Sequence, residues 1–451
     1  MSRREIALKH FEEQKDYMNT RINSGIELYR KGYANLKFVL PDGTKVKNMK
    51  FKVDQKSHDF NFGCNMFLLD EFETDEKNKI YREIFPQVFN YAIAPFYWDT
   101  LEPKKGKPRY AKDSEKIYRR PSPDLILEYC KEKNIRVKGH CLVYDGFSPE
   151  WLPEDINGIK KEIRHHLIEV AEKYGDVIAD WDIVNEALCW QHYGKSRNLT
   201  RFFRDEDYVK FPFKVASTLS YQRKFINDAF GIWENFKFER THYYLYLKTL
   251  MYENVDFDGI GLQFHQFKPR EYEEQYALDR YNPKRMFDAL DIFGKFDKPL
   301  QISEITIASY NGDAEDMEIQ AELAKNMYKI WFSHKNMDGI VYWNLVDGYT
   351  HSWDPNSLNG GMLNLNEGEN KYGGALLYSD LSPKPAFTTL KKLINEEWHT
   401  SGMFGTDDNG VSKFKGFKGM YDIEFEYNGK NYKKEIHLDG RDDFETVITI
   451  D

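Results

Sequence analysis

Short apolar runs alternate with helical patterns over most of the chain, from about residue 60 to residue 396. Eight runs have the length and composition of buried strands. They are Phe60–Phe67, Asn90–Pro95, Ile135–Val143, Val177–Val184, Gln222–Asn227, Phe257–Gln263, Leu300–Ser303 and Gly339–Trp343. Helical stretches lie between them, among them 123–133, 159–173, 314–332 and 384–394. This alternation predicts an α/β protein, a (β/α)8 barrel of the TIM type.

The two ends of the chain carry different patterns. Residues 5–31 show an irregular helical spacing among many charges, which predicts a helix on the surface of a larger unit. Alternating residues on both sides of Asp42-Gly43 predict a β-hairpin over 36–53. The tail predicts three strands, over 419–427, 432–438 and 444–450, which we expect to pack on the hairpin.

These patterns predict three parts of the chain. The first is an N-terminal helix with a β-hairpin, over 1–56. The second is the barrel, over 57–398, and the third is a small β module, over 399–451.

Composition and charge narrow the possible partners. The 451 residues have a net charge of −9 with both signs interspersed, which argues against nucleic acid as a partner. No run of about 18 apolar residues occurs, so we expect no membrane span. The 4 cysteines lack paired spacing, and we expect no metal and no cofactor. Aromatic residues make up 16% of the chain, which suits a protein that stacks flat rings against a ligand.

The N-terminus lacks the apolar stretch of a secretory signal. We therefore expect a cytoplasmic protein as the sequence stands, and a secreted one if a signal has been removed. The oligomeric state stays open.

Two glutamates lie at the ends of predicted strands. Glu186 closes the run Trp181–Ala187, and Glu304 follows Ile302-Ser303. Because the carboxyl ends of all barrel strands meet on one face, we expect the two carboxylates to lie close together. Other strand ends carry His140, Asn185, Asn227, Gln263, His265 and Trp343. Two such carboxylates are the minimum equipment for cleaving a glycosidic bond.

Six segments form a recognisable set. They are Trp98-Asp99 with Glu102-Pro103 and Gly106, Val137–Val143, Trp181–Ala187, Gly259–His265, Ile302–Ile305 and Ser382–Ala386. Together they resemble glycoside hydrolase family 10, the endo-β-1,4-xylanases. They match its second loop, third strand, acid/base motif, sixth strand, nucleophile strand and last helix, in that order. The resemblance covers about residues 36–398.

The resemblance implies a retaining β-glycoside hydrolase that cleaves β-1,4-xylan or xylo-oligosaccharides by double displacement. Glu186 would be the general acid/base and Glu304 the nucleophile. Asn185 would bond the 2-hydroxyl of the substrate, and His265 would hold Glu304 ionised and oriented. The residues implied to line or support the sugar sites are His140, Gln263, Trp343, Trp98, Tyr144 and Trp353.

The chain departs from the family pattern where the neighbouring sugar would be recognised. Ala94–Trp98 replaces a Glu-Asn…Lys cluster that grips the next sugar on the non-reducing side. Tyr144-Asp145 replaces a Trp-His pair, and Thr306 replaces an aspartate two residues after the nucleophile. We therefore expect that sugar site to be missing or rebuilt, and the network around His265 to be altered.

Alternatives remain open at this stage. Within the enzyme class, the chain could hydrolyse another β-linked oligosaccharide or glycoconjugate, or act as a transglycosylase. Outside that class, it could be a non-catalytic carbohydrate-binding barrel, although a lectin has no need of two strand-end carboxylates. Trp98 and His140 could serve only core packing, and the pair His165-His166 is expected on the surface.

Overall fold

The strands of the protein form three sheets in the computed structural model, which describes residues 1–189, 201–352, 364–440 and 445–451. In chain order the strands are β1 Lys31–Val39, β2 Lys50–His58, β3 Asn61–Asn65, β4 Tyr91–Pro95, β5 Arg136–Val143, β6 Asp180–Asn185, β7 Arg223–Asp228, β8 Gly259–His265, β9 Leu300–Thr306, β10 Met337–Tyr342, β11 Ser401–Gly405, β12 Val411–Phe417, β13 Gly419–Tyr427, β14 Lys430–Leu438 and β15 Glu445–Thr449.

Helices connect the barrel strands and form the N-terminus. Those of the described residues are α1 Arg3–Glu13, α2 Lys15–Gly25, α3 Asp75–Ile84, α4 Trp98–Leu101, α5 Pro123–Lys133, α6 Ile156–Tyr174, α7 Lys210–Ala216, α8 His242–Tyr252, α9 Glu273–Arg280, α10 Pro283–Phe293, α11 Ala314–Ser333 and α12 Pro385–Lys392. Several begin where the sequence supplies a capping side chain, since Thr74, Asp155 and Asp313 each accept a hydrogen bond from the first turn.

Strands β3 to β10 form a closed parallel barrel, which confirms the predicted fold. Each strand pairs with the next in the chain, and β10 closes the barrel by pairing with β3, where Gly339 lies opposite Asn61. Several strands are buried along their full length, as expected for strands covered on both faces. Their carboxyl ends therefore meet on one face of the barrel.

The predicted hairpin over 36–53 is present only at its tip and requires a correction. Val46 N donates to Phe38 O at 3.0 Å, and Leu40 N donates to Thr44 O at 2.8 Å. Beyond the tip the two strands separate, because β1 belongs to the sheet β12-β1-β15 and β2 to the sheet β11-β2-β13-β14. The apolar residues of the two strands face each other across these sheets, as the 4.9 Å contact between the Phe38 and Phe51 rings shows.

Strands from the two ends of the chain pair in both terminal sheets. β12 pairs antiparallel with β1, β15 pairs parallel with β1, and β11 and β13 flank β2. β2 continues almost directly into β3 at the start of the barrel. Trp398 and Phe332 stack at 4.0 Å between the two parts. The terminal β unit therefore lies at the end of the barrel opposite the strand carboxyl ends. The division into 1–56, 57–398 and 399–451 stays a prediction.

One buried arginine fixes helix α1 to the first turns of α9 and α11 and to the loop after β9. Arg3 pairs with Glu273 and Asp316 at 2.9 Å each and donates to Ala308 O at 2.6 Å. All three charged side chains are at most 5% exposed. Across the described ranges, no helix combines the length and the apolar character needed to cross a membrane.

Substitution of Arg3 should destabilise the protein far more than substitution of its neighbour. Arg3→Met leaves Glu273 without its cation in a buried position, so we expect a loss of about 3–5 kcal/mol in the free energy of unfolding. Arg4 pairs with Glu315 and Glu322 at a partly exposed site. Arg4→Met should therefore cost less than about 1 kcal/mol. Urea unfolding of both variants measures the difference, and equal losses would contradict the role given to Arg3.

Candidate active site

Glu186 emerges from the end of β6 in an unusual backbone conformation. Its φ is +52°, in the left-handed region that residues with a side chain rarely adopt. Its N–H donates to Asn227 O on the neighbouring strand at 2.8 Å. Glu186 Oε2 accepts from the Tyr144 hydroxyl at 2.7 Å, and Oε1 accepts from Gln263 Nε2 at 3.1 Å. The turn directs the carboxylate over the end of the barrel.

Glu304 lies in β9 and is almost completely buried, with 3% of its surface exposed. Its Oε1 accepts from Asn227 Nδ2 and from Gln263 Nε2, both at 2.8 Å. Its Oε2 lies 3.0 Å from His265 Nε2. Three neutral side chains thus hold this carboxylate in one orientation.

One amide group joins the two glutamates. Gln263 Nε2 contacts Oε1 of Glu186 and Oε1 of Glu304, at 3.1 and 2.8 Å. The two oxygens can be no further apart than the sum of these distances. The separation is compatible with the roughly 5–5.5 Å of retaining enzymes.

The surroundings of Glu304 act on its ionisation in opposite directions. Burial raises the pKa of Glu304 well above its usual value, His140 opposes this shift, and the charge of Glu186 raises the pKa further. The hydrogen bond from Asn227 lowers it again and favours the ionised form that a nucleophile needs. One protonated and one ionised carboxyl group is the state that acid-assisted nucleophilic attack requires.

His265 is held as a neutral imidazole. Burial lowers its pKa to about 4, so its Nε2–H donates to Glu304 near neutral pH. The other nitrogen, Nδ1, lies 2.9 Å from Thr306 Oγ1 and accepts its hydroxyl proton. The Thr306 hydroxyl thus satisfies the nitrogen that carries no proton when Nε2–H donates to Glu304, in the place where an aspartate was expected.

His140 reaches the site from β5 and is supported by charged residues beneath it. Its Nδ1 lies 2.8 Å from Asp182 Oδ2, and Lys138 Nζ pairs with the other oxygen of Asp182 at 2.7 Å. Burial alone would raise the pKa of Asp182, but Lys138 and His140 together lower it. His140 Nε2 lies 3.9 Å from Glu304 Oε1 and has no hydrogen-bond partner within the described part of the chain.

Asn185 and the aromatic residues complete the surroundings of the two glutamates. Asn185 directly precedes Glu186, and its Oδ1 accepts a hydrogen bond from Asn227 Nδ2 at 2.7 Å. Trp343 presents its ring edge-on to those of His140 and His265, at 5.3 and 6.0 Å. Eight of the ten candidates named from the sequence thus gather at one place: Glu186, Glu304, His140, Asn185, Gln263, His265, Trp343 and Tyr144.

Trp98 packs against α6, and Trp353 lies outside the described residues. Trp98 is buried, stacks on the ring of His166 at 4.4 Å and donates to Glu102 Oε2 at 3.0 Å. Its position is that of a packing residue between α4 and α6. His166 was expected on the surface, but it is 2% exposed, and burial lowers its pKa to about 3. Its helix buries the face on which His166 lies and exposes His165.

The loop before α5 brings two arginines close to the site, and neither was predicted from the sequence. The Arg120 guanidinium lies 4.0 Å from the centre of the Tyr97 ring, which itself contacts His140. Arg119 donates to Asn344 Oδ1 at 3.2 Å, beside Trp343. Neither arginine belongs to a periodic pattern or a motif, so the sequence carries no signal for their position. Asp182 lies inside the motif Trp181–Ala187 and Asp228 directly follows a predicted strand, but these patterns do not show what their carboxylates contact.

In the part of the chain that the structure describes, no group of three or more His, Cys, Asp or Glu side chains could hold a metal ion. The polar side chains around the two glutamates are carboxylates, amides and imidazoles. A parallel barrel that carries two facing glutamates at its strand ends has the architecture of a glycoside hydrolase.

Comparison with known proteins identifies the family. The profile of Glycosyl hydrolase family 10 matches residues 68–393, well over half of the chain. The chain belongs to this family and is a retaining β-glycoside hydrolase.

Relatives in this family are distant. Endo-1,4-beta-xylanase A of Caldicellulosiruptor saccharolyticus is 23% identical over 251 residues, 51% of this chain and 69% of that protein. Anti-sigma-I factor RsgI6 of Acetivibrio thermocellus is 23% identical over 432 residues, 94% of this chain and 48% of that protein. The structure of xylanase 10B from Thermotoga petrophila RKU-1 in complex with xylobiose aligns with a TM-score of 0.56 at 19% identity, over 75% of this chain and 95% of that one. This last similarity bears on the fold alone.

Removal of the Thr306 hydroxyl should impair the site without unfolding it. Thr306→Val keeps the shape but leaves His265 Nδ1 without its donor, so the ring can present the wrong tautomer to Glu304. We expect kcat/KM to fall by about 5- to 150-fold, the equivalent of about 1–3 kcal/mol for a buried group left unpaired. Thr306→Ser keeps the hydroxyl and should stay within about threefold of the parent. Equal activity of the valine and serine variants would contradict this role of the hydroxyl.

Proposed function

We propose that the protein cleaves β-1,4-xylan or xylo-oligosaccharides by double displacement, with Glu186 as general acid/base and Glu304 as nucleophile. The observation that carries the proposal is the Gln263 amide, which contacts both carboxylates and limits their separation. Two carboxylates this close suit direct attack on the sugar by one and proton transfer by the other.

In the first step, Glu304 attacks the anomeric carbon while Glu186 gives its proton to the leaving oxygen. The glycosidic bond breaks and an ester forms between the sugar and Glu304. The hydrogen bonds from Asn227, Gln263 and His265 restrict the rotation of the Glu304 carboxylate and favour its attacking geometry.

In the second step, Glu186 acts in the opposite sense. It takes a proton from a water molecule, which attacks the anomeric carbon and releases Glu304. The Tyr144 hydroxyl, at 2.7 Å from Glu186 Oε2, stabilises the ionised form of Glu186 that this step needs. Two inversions at the same carbon give net retention.

The names of the relatives support a xylan-type substrate, because several of them are endo-1,4-beta-xylanases. One observation favours a second candidate, another β-linked oligosaccharide. The site beside Tyr97 carries Arg120 and lacks the polar cluster expected on the non-reducing side. A cation stacked on an aromatic ring presents a different surface to the second sugar than an amide and a carboxylate do.

Azide should rescue a variant that lacks the proton donor. In Glu186→Ala, an aryl β-xylobioside with a good leaving group still forms the ester with Glu304, but water is no longer activated. Azide needs no base, so we expect it to raise kcat at least about tenfold and to give a glycosyl azide of retained β configuration. Proton NMR of the product reads the configuration.

An α-glycosyl azide from this variant would contradict the assignment, because it would mean direct displacement at the sugar. The parent enzyme, assayed on xylo-oligosaccharides and a panel of other β-linked glycans, is the control. A parent without activity on any of them would overturn the proposed function.

A further inference from the structure

Asp228 is a buried carboxylate that the mechanism above does not use. It ends β7, directly after Asn227, and is 1% exposed. One of its oxygens, Oδ1, accepts from the N–H groups of Ala229 and Phe230 at 2.9 Å each. The other, Oδ2, accepts from Leu188 N at 2.9 Å. The side chain therefore connects the loop after β7 with the turn that carries Glu186.

That turn is attached to β7 at three points. Glu186 N donates to Asn227 O at 2.8 Å, Leu188 N donates to Asp228 Oδ2, and the Cys189 thiol lies 3.4 Å from Asp228 Oδ1. Two of the three attachments use the Asp228 carboxylate. Such attachments matter here because Glu186 has a left-handed backbone conformation, which persists only where surrounding contacts enforce it.

The carboxylate is held there at an energetic cost. Burial raises the pKa of Asp228 to about 7, the N–H groups of Phe230 and Leu188 oppose this shift, and the charge of Glu186 adds to it. The other titratable groups around Asp228 are the Cys189 thiol and the phenols of Tyr243 and Tyr246 on α8. A neutral side chain could accept from residues 229 and 230 at a smaller desolvation cost. The second oxygen, which accepts from Leu188, is what the carboxylate adds.

We propose that Asp228 is a positioning residue for Glu186. Its carboxylate fixes the left-handed turn and so directs the acid/base carboxyl at the glycosidic oxygen. The inference rests on the proposed function, because the position of Glu186 matters only if Glu186 transfers a proton to the leaving oxygen. The nucleophile Glu304 is held by other residues and should be unaffected.

Two substitutions separate this role from a general loss of stability. Asp228→Asn can keep its oxygen towards residues 229 and 230 but places an amide group opposite Leu188 N–H, where two donors meet. In Asp228→Ser, the hydroxyl group can accept a hydrogen bond from the same loop, but the side chain is too short to reach Leu188. Cys189→Ala is the matched control, because it removes the thiol contact and leaves the Leu188 hydrogen bond in place.

The test compares two substrates whose leaving groups differ in their need for a proton. Xylotetraose requires an acid to expel its leaving sugar, whereas 2,4-dinitrophenyl β-xylobioside does not. For both Asp228 variants we expect kcat/KM on xylotetraose to fall at least about 30-fold, within the range that acid catalysis contributes. On the dinitrophenyl substrate, kcat/KM should stay within about threefold of the parent. Cys189→Ala should stay within about threefold on both.

The outcomes are distinguishable. Equal losses on the two substrates would show that Asp228 acts through the structure of the whole site, and unchanged activity on xylotetraose would show that it does not act at all. Either result overturns the inference while the proposed function stands. A parent enzyme that cleaves neither substrate would overturn both. If the asparagine variant does not fold, as judged by near-ultraviolet circular dichroism, the smaller serine variant gives the decisive comparison.

Discussion

When β10 pairs with β3, the parallel sheet closes and the carboxyl ends of eight strands are brought to one face. Residues that are far apart in the sequence become neighbours there. Glu186 follows β6 and Glu304 lies in β9, on different parts of the ring. Gln263 and Asn227, from the strands between them, contact both regions. The geometry of the site is thus a consequence of the closure of the barrel.

The polar groups at this face are arranged to make one buried charge tolerable. Glu304 accepts three hydrogen bonds from neutral donors, which offset part of its desolvation. Around it, a neutral His265 is fixed by Thr306, and His140 is fixed by Asp182 and Lys138. Each support is a hydrogen bond or ion pair between residues of different barrel strands. Rigid strands can hold such contacts to within tenths of an ångström, whereas flexible loops cannot.

The sequence predicted those features that depend on local pattern or on a motif. The eight barrel strands are short apolar runs, and each run appears in the structure within a few residues of its predicted limits. The two glutamates were found because both lie in motifs at strand ends. The hairpin over 36–53 was correct only at its tip, because strands from residue 401 onwards pair with β1 and β2. Alternation along a strand shows which residues face inward but not which strand lies alongside.

Other features depend on contacts that no local pattern records. His166 is buried because Trp98 covers it, and both lie in segments that look amphipathic without showing which face turns inward. Arg119 and Arg120 reach the site from an irregular loop. Asp228 contacts the turn after β6, which lies 40 residues earlier in the sequence. The contacts of such residues can be seen only in the folded structure.

The proposed mechanism requires a covalent bond between Glu304 and the sugar. In 2,4-dinitrophenyl 2-deoxy-2-fluoro-β-xylobioside, the fluorine slows both steps of the reaction. The good leaving group keeps the first step faster than the second, so the ester accumulates when the enzyme is incubated with this compound. Mass spectrometry of a peptic digest then locates the added mass. We expect one fluoroxylobiosyl group per chain, attached to Glu304. A label on another residue, or turnover of natural substrate with inversion and no label, would contradict it.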